Sequence, residues 1–131
     1  MKRIALAFLP FALAIVPIAL AACATLPASA PMRSDGYAQL GERTRVGALV
    51  VTPLRVIEDS RCPINARCVW AGRLVVLTRI EADGRRETTD MELGRPYIAH
   101  GRGIQLSAVL PEKMTGANTR PIPYTFKYEG G

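Results

Sequence analysis

Three cysteines and a single histidine are the residues of this 131-residue chain best suited to chemistry, and their spacing limits what they can do. Cys23 stands alone near the N-terminus, while Cys62 and Cys68 are separated by five residues. Zinc takes four ligands, usually paired two to four residues apart, and His100 is the one imidazole. Copper is no better served, because Met32, Met91, Met114 and His100 are dispersed along the chain. Neither a metal nor a cofactor is expected. A catalytic redox pair would read C-x-x-C. Serine chemistry needs a base with an orienting acid, and His100, followed by Gly101-Arg102-Gly103, reads as a loop residue. The scattered acids select no glycosidase pair. The chain is not expected to be an enzyme.

Lys2 and Arg3 precede an uncharged apolar run, Ile4 to Leu20, interrupted by Pro10 and Pro17. That is the layout of an export signal. A membrane-spanning helix needs about 20 apolar residues, and two prolines inside the run oppose one. The run ends in Leu20-Ala21-Ala22-Cys23, which resembles the lipobox of bacterial lipoproteins. The resemblance implies cleavage before Cys23 and acylation of its thiol and new amine, so that the membrane becomes a partner through the acyl chains. Each buried methylene contributes about 0.8 kcal/mol and one chain alone is marginal; three would hold the domain durably. Ala24, where an aspartate would imply inner-membrane retention, points to the periplasmic face of the outer membrane. A plain signal cut after Ala28-Ser29-Ala30 is the alternative. With Cys23 lipidated, Cys62 and Cys68 remain as an even pair in an oxidising compartment, where a structural disulfide is expected. Pro63 and Asn65 favour the bent path between them.

The domain plan follows: signal peptide 1–22, lipid-anchored tether 23–40, folded domain 41–131. Taking residues 1–22 from 131 leaves 109, enough for one domain. Residues 24–36 are rich in Ala, Pro and Ser, a tether composition that spans up to about 40 Å. The globular part should begin between Tyr37 and Glu42. Without Lys2 and Arg3, 15 basic residues face 11 acidic ones, and 13 of the 15 are arginine. A mild positive balance suits an anionic envelope component, although the bases are interleaved with acids along the chain. Nothing in the chain carries a nucleic-acid-binding motif.

Strand periodicity dominates from Leu49 onward. Leu49–Thr52 and Leu54–Ile57 flank Pro53, which should mark an edge, bulge or bend. Leu74, Val76, Thr78 and Ile80 alternate with Arg73, Val75, Leu77, Arg79 and Glu81. Asp83-Gly84 is a hairpin signal. Thr89, Met91 and Leu93 then alternate with Thr88, Asp90 and Glu92, and a strand over Ile104–Leu110 is closed by Pro111. Tyr124, Phe126 and Tyr128 share one face of a last strand. The expected fold is all-β: one small antiparallel β-sandwich, Ig-like or barrel-like, of six to seven strands with a disulfide-closed loop. Arginine also recurs every sixth residue from Arg55 to Arg85, a period that suggests a left-handed β-helix. Five hexads are fewer than two coils, and Ile57, Pro63, Val69, Val75 and Glu81 occupy positions where such a coil prefers small residues.

Asp59-Ser60-Arg61-Cys62-Pro63 followed by Cys68-Val69-Trp70-Ala71-Gly72 is the densest motif. It resembles a D-S-R-C-P…C-V-W-A-G signature of small exported bacterial proteins and lipoproteins, a family without an assigned function. Asp59, Ser60, Arg61 and Trp70 admit two readings. In one they fix a strand-to-strand corner, with Asp59 and Arg61 pairing or capping amides and the Trp70 ring covering the sulfurs at the start of the next strand. In the other they form a recognition rim. The chain is therefore expected to be a lipid-anchored envelope domain with a binding or structural accessory role, its partner an envelope protein or anionic component. The alternative is an inhibitor of an envelope-attacking enzyme, a lysozyme or protease; the positive charge disfavours the typically basic lysozymes.

Overall fold

The computed structural model describes residues 31–116 and 122–131. Cys23, the signal segment and the first part of the tether lie outside them. The described chain is all-β: β1 (Tyr37–Gln39), β2 (Thr44–Val46), β3 (Leu49–Asp59), β4 (Leu74–Ala82), β5 (Arg85–Glu92), β6 (Pro96–Ala99), β7 (Arg102–Leu110) and β8 (Thr125–Gly130). They form two four-stranded antiparallel sheets, β2-β3-β4-β5 and β1-β8-β7-β6. No β-helix is present among the described residues. The strands begin at Tyr37, the early end of the expected window, and so take in three residues of the segment assigned to the tether. Ala38 is fully buried there, which is what holds β1 on its sheet.

Alternation along each strand builds the sandwich. Leu49, Val51, Leu74, Val76, Ile80 and Met91 from one sheet bury against Ile104, Leu106, Val109, Phe126 and Tyr128 from the other. The inward set on β4 is the expected Leu74, Val76, Thr78 and Ile80, all buried. Asp83 (φ 51°) and Gly84 (φ 73°) both take positive φ, as a two-residue turn of the hairpin hand requires. His100 (φ 49°) and Gly101 (φ 78°) make the same turn between β6 and β7. The His100 ring Nε2 lies 3.5 Å from the Ile80 carbonyl oxygen.

Pro53 sits inside β3 beside a register shift between Pro53 and Arg55. Its carbonyl points toward the β2 side and accepts the Gly41 N–H at 2.7 Å. The missing proline N–H faces that same side, beyond Val51, where β2 pairing has stopped. Among the described residues eight strands are present rather than six or seven: the two segments flanking Pro53 are one strand, β3, and three short strands were not expected. The additional ones, β1, β2 and β6, are three or four residues long, too short for alternation to register.

Candidate functional site

Beyond β3 and β4 the two chains continue as a narrow ladder. Ser60 donates its N–H to Arg73 O (2.8 Å), and Cys62 donates its N–H to Ala71 O (3.1 Å). The Arg73 N–H donates to Ser60 Oγ (3.0 Å), and that hydroxyl donates to Glu58 Oε1 (2.8 Å). Glu58 Oε2 accepts from Arg73 Nε (2.8 Å). Ser60 and Arg73 together hold the Glu58 carboxyl below its ordinary range. Gly72 (φ 67°) is required in this ladder, because a Cβ there would run into the Ser60 carbonyl.

Cys62 and Cys68 form a disulfide, their Cα atoms 5.9 Å apart, closing the loop as expected. Pro63 begins a turn closed by the Ala66 N–H on Pro63 O (3.0 Å). The segment after β7 backs the loop: Ile64 N–H donates to Lys113 O (2.9 Å), and the Asn65 side chain exchanges bonds with Thr115 O and N at 3.0 and 2.9 Å.

At the base of the loop Arg61 forks onto Asp59, Nε to Oδ1 and Nη2 to Oδ2, both 2.9 Å. The side chains are 15% and 13% exposed, so water screens the pair little. Tyr124 OH donates to Asp59 Oδ2 (2.8 Å), and its ring stacks on Phe126 with centroids 5.7 Å apart. Lys113 Nζ donates to the Asp59 carbonyl (2.9 Å). Arg61 first, and Tyr124 with it, hold the Asp59 carboxyl down at about 2, against the desolvation that opposes them. Burial and the Asp59 charge push Tyr124 up.

The structure therefore separates the four singled-out residues. Asp59 and Arg61 share one network with Tyr124 and Lys113, while Ser60 belongs to the neighbouring one with Glu58 and Arg73. Trp70 joins neither, and here the expectation is corrected. Instead of being packed in a core, the residue is 81% exposed, and it precedes β4 by four residues rather than starting it. The core face of β4 ends at Leu74, and the segment overlying the loop engages Ile64 and Asn65, leaving no apolar layer for the indole. Val69 beside it is 90% exposed, and Ile64 is exposed as well. Tyr124 and Lys113 were not legible in the sequence: they meet Asp59 from 65 and 54 positions away. Gly72 did carry a signal, standing at the end of the Trp-Ala-Gly run. Comparison with family models, with curated proteins and with solved structures gave no match. Among the described residues no group of three or more His, Cys, Asp and Glu could hold a metal ion.

Proposed function

We propose that this protein is a lipid-anchored binding module of the cell envelope, presenting the exposed Val69-Trp70 pair beside its disulfide loop to an envelope protein. Cys23 at the lipobox-like tetrad supplies the anchor, on the periplasmic face of the outer membrane. The exposed indole is the observation that carries the reading. A lone tryptophan normally buries most of its ring, and exposed aromatic anchors on a rigid support are the side chains that dominate protein interfaces. The disulfide, the Ser60–Arg73 ladder and the Asp59–Arg61 pair give that support. A loop held in one shape loses little entropy on binding.

A second reading, inhibition of an envelope-attacking hydrolase, draws on the same feature, since an exposed indole beside a clamped loop suits insertion into a cleft. The purified domain would then slow a protease or muramidase at stoichiometric amounts, and Trp70→Ala would not.

A photo-cross-linking residue placed at Val69 in growing cells tests the main reading. A discrete adduct is expected, abolished by Trp70→Ala and absent when the probe sits at Ile98, another exposed apolar position, on β6. Identical adducts from both positions would overturn it.

A further inference from the structure

Far from the loop, register gathers arginines that the sequence disperses. Arg45 on β2 faces Val50 on β3, Val50 faces Glu81 on β4, and Glu81 faces Arg86 on β5. The next row is Thr52, Arg79 and Thr88. These rows lie on the solvent side of the sheet, because their neighbours Val46, Val51 and Ile80 point into the core. Glu81 works as a bracket: its Oε1 accepts from Arg86 at 2.7 Å and its Oε2 from Arg43 at 3.3 Å, which aims both guanidinium groups along the face. Among the described residues Arg79 and Arg85 make no ion pair, and Arg45 reaches only the Met32 sulfur at 3.8 Å. A groove of about 570 Å³ runs between Arg43, Arg45, Arg85 and Arg86. Counting Arg79 beside it, five arginines meet two carboxylates, Glu81 and Asp83. Asp83 is itself bonded to Arg102 at 3.0 Å.

The chain arrives from its N-terminus at this same edge. Arg33 bridges Thr44, and Arg33 O accepts the Arg45 N–H at 2.7 Å. Eight residues separate Cys23 from Met32, a reach of roughly 30 Å at full extension. The Trp70 loop lies at the other end of β4, about 26 Å along a nine-residue strand.

We propose that this arginine face docks on the phosphate headgroups of anionic phospholipids in the membrane that holds Cys23; the placement rests on the lipid-anchor reading above. Guanidinium forks match phosphate oxygens in pairs, and each basic residue near an anionic surface strengthens attachment about fivefold. A short tether raises the effective concentration of the face at the bilayer, so modest intrinsic affinity is enough. Docked this way, the domain keeps Trp70 about a strand's length from the arginines that meet the lipid.

The chain from residue 23 onward carrying Cys23→Ala, which has no acyl group, tests the face by co-sedimentation at low ionic strength. Vesicles of phosphatidylcholine with phosphatidylglycerol should bind it, and vesicles of phosphatidylcholine alone should not. Arg45→Gln, Arg79→Gln and Arg85→Gln combined should weaken binding about a hundredfold, with an unchanged denaturation midpoint showing that the variant folds. Arg67→Gln, in the disulfide loop, should bind as the parent does. Trp70 emission should not shift on binding. Equal uptake by both vesicle types, equal loss in Arg67→Gln, or a blue shift of Trp70 would each overturn the proposal. The assay needs no acylation, so an unmodified Cys23 in the native protein would remove the anchor without touching this result.

Discussion

The Tyr128 and Thr78 hydroxyls lie 3.0 Å apart in the core, joining β8 of one sheet to β4 of the other. Thr78 Oγ1 also lies 3.2 Å from the Val76 carbonyl and donates to it, which leaves Tyr128 as donor to Thr78. Burial pushes the Tyr128 phenol well above its ordinary value, and Thr78 only partly opposes this. The two substitutions at this bond should be unequal. Tyr128→Phe removes a donor and leaves Thr78 still bonded, costing about 1 kcal/mol. Thr78→Val strands a buried phenol and should cost about 2 to 3 kcal/mol, most of it recovered by adding Tyr128→Phe. Denaturant midpoints of the three variants measure the cycle.

The same phenol gives an alkaline limit. Its folded pKa is raised, so the folded state keeps a proton that the unfolded chain releases near pH 10. Stability is therefore full below about pH 10 and falls as pH rises above it. Tyr128→Phe should flatten that decline. A decline equally steep in the variant would mean that other groups cause it.

Asp59 acts in the opposite direction and at the other end of the scale. Its folded pKa of about 2 lies below the ordinary carboxylate value, because Arg61 and Tyr124 bond the charged form. The stabilisation is present above about pH 4 and is lost as pH falls through about 2. Asp59→Asn should cost about 1 to 2 kcal/mol at neutral pH. Its deficit against the parent should close as acid is added, as followed by thermal unfolding from neutral to strongly acidic buffer.

Gly72→Ala should be among the most damaging small changes available. The new methyl would meet the Ser60 carbonyl and force a positive φ on alanine, costing at least about 2 kcal/mol. The matched change at Gly94, also at positive φ but with open space around it, should cost about half as much. Comparable midpoints for the two would mean the ladder does not need its close approach.

Trp70 is the only tryptophan, so fluorescence reads its surroundings directly. Emission should resemble that of indole in water and should change little on unfolding, since the ring is already exposed. Trp70→Ala should alter stability by no more than about 0.5 kcal/mol. Removing the disulfide by Cys62→Ser and Cys68→Ser should cost about 2 to 2.5 kcal/mol, from the loop-closure entropy of so short a ring.

Strand content and facing were legible because alternation is a local property: eight or nine residues of β4 are enough to show which side chains share a face. The Asp83-Gly84 turn was legible for the same reason, since two adjacent residues set its backbone. The disulfide followed from parity and spacing. The position of Trp70 was not legible. Its neighbours Cys68 and Gly72 suggest a buried corner, but whether an apolar layer reaches it depends on where the segment after β7 lies, some 40 residues further along the chain.

What the amino-acid order determined by itself is thus the set of long strands, their inward faces and one covalent link, all governed by interactions between near neighbours. Tertiary structure alone decided that Asp59 meets Tyr124, that the indole faces water, and that Arg45, Arg79 and Arg86 share one surface. Those relationships depend on cross-strand register and on which sheet lies opposite, and both are set by how the whole apolar core closes rather than by any segment within it.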